Sequence, residues 1–285
     1  CKSLDKGLHP KQEIKWISEK LLNQYANRKL TDKYAMYQHM MDYWAETMQD
    51  DFYELAAEGW KAGNEVKRLQ KKTKKGEKEI VKDVAGLEGL EGRLIPTALL
   101  IKEFFAQEQR FIDGLNQKME TINAEMEELR EEHSGEDGLL ENACDDKGKI
   151  TKNTVNKAIK ELGKKNEDNG EEYEMLQKYK KLMDAEADLK TQIKKSLEEL
   201  EVKVVAKYPK LTIDEIKTTV VDKKWMAEME SRVKIEMDNI SHRLTQRIKE
   251  LAERYDSTLP ELTNSVTDLT AKVEGHLKKM GFVWK

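Results

Sequence analysis

Ile101, Phe105, Ile112, Leu115, Met119, Ile122, Met126 and Leu129 recur at spacings of three, four and seven in a chain that is 37% charged. That pattern is a heptad seam, and a seam of this kind needs a second helix to cover it. Glu108 is its one polar intruder. Pro96 suits the first turn of the helix, where a missing N–H costs nothing. From there the helix should run to about Glu132, roughly 50 Å at 1.5 Å per residue. A second long helix carries Leu182, Leu189, Ile193, Leu197, Leu200 and Val204 on one face. Between the two lies 134–170, rich in Gly, Asp and Asn, with one short helix expected around Lys152–Leu162. The simplest arrangement is an antiparallel coiled-coil hairpin with 134–170 at its tip.

Two helices alone are marginal. Covering a seam residue gains roughly 1.5–3 kcal/mol, most of which backbone ordering offsets. Further helices are available on both sides. Ile14, Ile17, Leu21, Leu22 and Tyr25 share a helical face in 11–29. Pro209 ends the second arm, because a proline disfavours helix in the residue before it. Thr212-Ile-Asp-Glu215 reads as a capping box for a short helix to about Val220. A long helix follows with Met229, Val233, Met237, Ile240, Leu244, Ile248, Leu251 and Tyr255. Leu259-Pro260 then turns into a last helix with Leu262, Val266, Leu269, Val273 and Met280. The expected fold is all-α: a long antiparallel coiled-coil hairpin packed with further long helices into an elongated bundle. No strand pattern is evident.

Composition narrows the function classes. A net charge of −4 over 285 residues makes the chain as a whole no general binder of nucleic acid. Two cysteines, Cys1 and Cys144, make no disulfide framework and point to a reduced, cytoplasmic setting. No run of about 18 apolar residues is present, so no membrane span is expected. Residue 1 is Cys. A mature lipoprotein would begin this way, with Lys2-Ser3-Leu4-Asp5-Lys6 as its tether, and so would a fragment of a longer chain. The fragment is the preferred reading.

Aromatic residues are concentrated in one place. Seven of the 19 (Tyr34, Tyr37, Tyr43, Trp44, Phe52, Tyr53 and Trp60) lie between Asp32 and Trp60. No Pro or Gly interrupts this stretch before Gly59, so it reads as one aromatic helix capped by Thr31 or Asp32. Such a helix needs a surface to bury against. After it, seven of the twelve residues Lys67–Lys78 are basic, and Gly86, Gly89 and Gly92 follow. The domain reading is therefore a helical segment at 1–63 containing the aromatic helix, a basic and Gly-rich linker at 64–92, and a coiled-coil bundle at 93–285.

The stretch Asp32-Lys-Tyr-Ala-Met-Tyr-Gln-His-Met-Met-Asp-Tyr-Trp-Ala-Glu-Thr-Met-Gln-Asp-Asp51 resembles a helix of the modification (M) subunit of type I restriction-modification systems. Further segments resemble the C-terminal region of that family, in the same order. They are Glu91-Gly-Arg-Leu-Ile-Pro96, Asp146-Lys-Gly-Lys-Ile-Thr151, Lys207-Tyr-Pro-Lys-Leu-Thr212, Val221-Asp-Lys-Lys-Trp225, Arg247–Tyr255 and Val273–Phe282. The resemblance covers about Asp32 to Lys285. It implies a parent subunit that methylates adenine N6 in DNA with S-adenosylmethionine. It also implies assembly with a specificity (S) subunit, a second M subunit and a restriction (R) subunit on double-stranded DNA. The family's Gly-rich cofactor loop and Asn-Pro-Pro-Phe motif are absent from this sequence, so no catalytic or cofactor-binding residue is carried over.

The candidate residues are accordingly those of binding. Lys71, Lys72, Lys74 and Lys75 are candidate DNA phosphate contacts, each able to neutralise about one charge. A run of this kind is also what a solvated linker looks like. Trp44, Tyr53 and Leu269 are candidate anchors for docking on a partner. Arg93 more readily serves a neighbouring carboxylate than DNA. Glu131, Glu132, His133 and Cys144 match no metal-ligand spacing, and Asp145-Asp146-Lys147-Gly148 reads as a turn, because it lacks the register of a calcium loop. A freestanding coiled-coil scaffold, anchored through Cys1, is the alternative. An enzyme complete in this chain is the weakest reading, because no nucleophile–base pair or phosphate loop is evident.

Overall fold

A computed structural model describes residues 4–75, 78–133, 135, 138–145, 149–163 and 169–282, with backbone only at 73–75 and 78–80. About 79% of the chain is helical, so the fold is all-α. The helices are α1 (Pro10–Tyr25), α2 (Lys33–Tyr43), α3 (Gln49–Glu58), α4 (Thr97–Phe104), α5 (Ala106–His133) and α6 (Lys152–Leu162). The remainder are α7 (Gly170–Lys207), α8 (Ile213–Lys217), α9 (Ala227–Arg254) and α10 (Leu259–Lys279). Among the described residues, no helix is long and apolar enough to cross a membrane. The chain divides into two units, one of 1–10 with 47–226 and one of 11–46 with 227–285.

In the first unit, α5 and α7 form the antiparallel hairpin. Lys203 Nζ lies 3.0 Å from Glu108 and Lys178 Nζ lies 2.8 Å from Glu125, so the pairing runs in opposite directions. Ile112, Leu115, Leu200 and Val204 are buried in the seam, whereas Met119, Ile122, Leu189 and Ile193 are half-buried. A two-helix seam has only one cover, and partial exposure along its length follows from that.

The tip has a core of its own. Leu140, Ala143, Val155 and Ala158 pack with Leu129, Leu176 and Tyr179 from the two arms. Thr151 caps α6 reciprocally with Thr154. Cys144 and Ile150 form a single antiparallel bridge, and Asp145 accepts from the Lys149 N–H at 2.7 Å, as a turn requires. Asp146, Lys147 and Gly148 lie outside the described residues.

Three expectations need correction. The helix expected from Pro96 to Glu132 is two helices. Phe105 leaves helical geometry at φ −129° and ψ 30°, dividing α4 from α5. The two parts have different partners: Leu100 and Ile101 of α4 pack beside the segment that follows α8, whereas Ile112 and Leu115 face α7. The stretch 64–92, expected as a linker, contains strands. β1 (Val66–Arg68) pairs with β4 (Leu90–Gly92), and β2 (Gln70–Lys75) pairs with β3 (Lys78–Asp83), both antiparallel. Backbone hydrogen bonds hold these ribbons without the apolar alternation that announces a strand. Finally, the break expected near Val220 is a π-helical stretch, Thr218–Met226, running from α8 into α9.

In the second unit, α2 packs on α9. Arg232 of α9 bonds Glu228 at 2.8 Å, and its guanidinium lies 5.2 Å from the Tyr43 ring. Asp32 caps α2 by accepting from the Tyr34 N–H at 3.1 Å. Helical structure continues from α2 to α3 through a π turn at Trp44–Met48. Thr258 and Glu261 form the capping box that starts α10.

Candidate functional site

Four of the segments that carry the family resemblance meet in one core of the first unit. α3 presents Asp51 and Phe52 inward, and the π-helical stretch presents Lys224 and Trp225. Phe52 stacks on Trp225 with ring centroids 5.0 Å apart, and Trp60 lies 6.4 Å away on a tilted plane. Asp51 Oδ1 and Oδ2 accept from Lys224 Nζ at 2.8 and 2.7 Å. Trp225 Nε1 donates to Asp51 Oδ2 at 2.8 Å, and Lys224 Nζ also reaches the Leu94 carbonyl at 2.9 Å. Burial pushes the Asp51 carboxyl above its ordinary value, while Lys224 and the Trp225 N–H pull against that shift.

Neighbouring contacts extend this centre, although Arg93 Nε is buried there with no hydrogen-bond partner among the described residues. Tyr208 donates its hydroxyl to the Ile95 carbonyl at 2.8 Å, and the Asn64 amide donates to the Tyr208 and Leu211 carbonyls, each at 2.8 Å. At Gly92 an added Cβ would stand 2.1 Å from the Ile95 oxygen and 2.4 Å from the Tyr208 hydroxyl, so only glycine fits. Arg93 bonds Glu54, Glu58 at 2.9 Å and Glu65 at 2.8 Å. Its role is structural pairing, and the Glu65 and Glu58 bonds push its pKa further up. Every charge in this centre has a partner inside the chain. Its arrangement serves cohesion: it ties 51–52, 93–95, 208 and 224–225 together.

The candidate anchors fall into two classes. Trp44 is 7% exposed and belongs to a core, so it presents no free surface for docking. Tyr53, nine positions further along, is 48% exposed. Leu269 is 59% exposed and does not stand alone. Leu262, Val266 and Val273 share its face at spacings of three and four and are exposed with it, and α10 buries no residue. α9 also buries none, and Ile235, Met237, Leu244, Ile248 and Leu251 are exposed along it. Sequence periodicity found this face, but could not tell it from a covered one.

The candidate phosphate contacts lie on β2. Lys71 and Lys72 are exposed at adjacent positions and so point to opposite faces of the ribbon. Lys74 and Lys75 pair in register with Glu79 and Lys78, and their side chains lie outside the described residues. Lys82, across from Lys71, is also exposed and was missed by the sequence reading, because it lies beyond the basic run. Among the described residues, no group of three or more His, Cys, Asp and Glu side chains is placed to hold a metal ion. Burial and the carboxylates of Asp145 and Glu141 hold the Cys144 thiol above its ordinary value.

No protein-family model, curated protein or solved structure matches this chain.

Proposed function

We propose that this chain is the assembly and DNA-engagement part of a type I restriction-modification M subunit, and that it docks on the S subunit through the exposed apolar faces of α10 and α9. The ordered segments described above support the family reading. The bare apolar face of α10 carries the docking half. Leu262, Val266, Leu269 and Val273 form a stripe on a helix of 21 residues, about 31 Å long. A stripe of this length and spacing suits a long helix of a partner. Helix-on-helix docking of this kind is what the family resemblance assigns to the S subunit. The parent subunit would supply methyl transfer to adenine N6 from S-adenosylmethionine, a second M subunit would complete the methyltransferase, and the R subunit would join it on double-stranded DNA.

Co-expression with the S subunit of the same system tests this reading. The chain is expected to co-purify with it, and Leu269→Glu or Val266→Glu is expected to abolish co-purification while leaving the helical circular-dichroism signal intact. Well-folded variants that still assemble would overturn the docking site. A chain that ignores the S subunit and forms only oligomers of itself would favour the scaffold alternative.

A further inference from the structure

The β2–β3 ribbon is a charged projection with a fixed base. Residues 66–83 carry eight basic and three acidic side chains in a chain whose net charge is −4. The two ribbons of this region treat charge differently. In β1–β4, Lys67 faces Glu91 across the strands, and Arg68 reaches Glu201 of α7. In β2–β3, Lys71 stands opposite Lys82 in register, whereas Lys74 stands opposite Glu79. Like charges directly opposite one another destabilise a strand pair. An anion brought from outside would relieve the pairing of Lys71 with Lys82.

The base is built to hold the ribbon in place. Gln70 Nε2 donates to Asp83 Oδ1 at 3.0 Å, the Val84 N–H bonds the Leu69 carbonyl at 2.9 Å, and the Leu69 N–H bonds the Gly89 carbonyl at 2.8 Å. Arg68 Nη1 adds a bond to the Val84 carbonyl at 3.1 Å. A Cβ at Gly89 would stand 1.9 Å from the Val84 oxygen, so the close crossing there requires glycine. A plain linker needs none of these features.

We infer that the β2–β3 ribbon enters a groove of duplex DNA and contacts phosphates on both walls, with Lys71 and Lys82 on one face and Lys72 on the other. Six residues per strand give a ribbon about 20 Å long. The major groove of B-form DNA, about 12 Å wide, admits a two-stranded ribbon. The deep, narrow major groove of duplex RNA does not. Single strands are bound chiefly by stacking on aromatic side chains, and β2 and β3 contain no Phe, Tyr or Trp. Phosphate contacts position a protein without reading sequence, which suits a module whose DNA target is chosen by another subunit. This inference deepens the DNA-engagement half of the proposed function and rests on it for the choice of DNA as partner.

The test is fluorescence anisotropy of the full chain with a duplex of about 30 base pairs across a salt series, beside the triple variant Lys71→Gln, Lys72→Gln, Lys82→Gln. Each lost phosphate contact flattens the log–log salt dependence by about 0.9. The variant is therefore expected to bind at least tenfold more weakly at low salt, with a slope shallower by roughly two to three. Lys178→Gln and Lys190→Gln, which remove lysines that lie beside Glu125 and Glu186, are expected to leave the slope unchanged. An unchanged affinity and slope in the triple variant would overturn the ribbon contact. So would equal affinity for a single strand, or binding to anionic phospholipid vesicles in place of the duplex. Co-purification of the triple variant with the S subunit is followed in parallel. Its persistence alongside an unchanged slope would sink the ribbon alone, whereas loss of assembly by the parent chain with ribbon-dependent DNA binding intact would sink the M-subunit reading alone.

Discussion

Trp225 and Leu269 occupy equivalent places in their local patterns, each a large apolar residue on an amphipathic helical face, yet they have opposite fates. Trp225 is 2% exposed, stacked on Phe52 and bonded to Asp51, whereas Leu269 stands in water on a helix that buries nothing. The first region meets its cohesive needs within the chain. The second leaves them unmet. Apolar periodicity therefore marks surfaces that must be covered without saying whether the chain or a partner covers them. Substitutions in the two regions are expected to separate stability from assembly.

The largest loss of stability is expected at the closed centre. Trp225→Ala removes a stacked, hydrogen-bonded ring and should cost roughly 3–5 kcal/mol, read as a lower midpoint in urea unfolding. Asp51→Asn leaves Lys224 buried without its carboxylate and should cost about 3 kcal/mol. The same residue sets a pH dependence. With its folded pKa raised, the folded state holds the Asp51 proton more tightly than the unfolded chain does. Its contribution is full below the ordinary aspartate value and declines as pH rises through the folded pKa. Asp51→Asn should remove that decline from the stability–pH curve.

An intermediate effect is expected at the cap of α8. Thr212 accepts from the Glu215 N–H at 3.2 Å, and Glu215 bonds the Thr212 N–H at 2.8 Å. Thr212→Ala should cost about 1 kcal/mol in the same unfolding measurement. The bond from the Thr212 backbone and the Lys207 ammonium hold the Glu215 carboxyl below its ordinary value. Its contribution is therefore present above the ordinary glutamate range and fades as pH falls through the folded pKa. Glu215→Gln should flatten the acid limb of the curve.

The smallest effect on stability, within about 0.5 kcal/mol, is expected at the open face of α10, where Leu269→Glu and Val266→Glu alter side chains that already meet solvent. Their effect on assembly should be the largest of the series. A loss of folding stability there comparable with that at Trp225 would erase the distinction between the two regions.

The parts of the structure that were legible in the sequence have local or periodic causes. The two arms of the hairpin, the short helix at Lys152–Leu162 and the capping box at Thr212 follow from heptad spacing and from side chains that satisfy helix-end N–H groups. That Arg93 pairs with carboxylates was expected, but its partners Glu54, Glu58 and Glu65 lie 39, 35 and 28 positions away, and no local pattern names them. The strands were hidden because β2 reads Gln-Lys-Lys-Thr-Lys-Lys, a run without apolar alternation whose register comes from backbone bonds and the tight crossing at Gly89. The break at Phe105 was hidden because both sides of it are apolar and helical, and only their partners differ. Trp44 and Tyr53 could not be ranked, since composition places both on one aromatic helix while tertiary packing buries only Trp44. The pairing of Asp51 with Lys224 spans 173 positions, a distance across which no sequence pattern reaches.

Hydrogen exchange of the chain alone and in the presence of the S subunit tests the docking claim most directly. The amides of α10 and of the C-terminal half of α9 are predicted to exchange rapidly in the free chain and to become protected on assembly, while those around Trp225 stay protected throughout. An assembled complex in which α10 exchanges as fast as in the free chain would contradict the account.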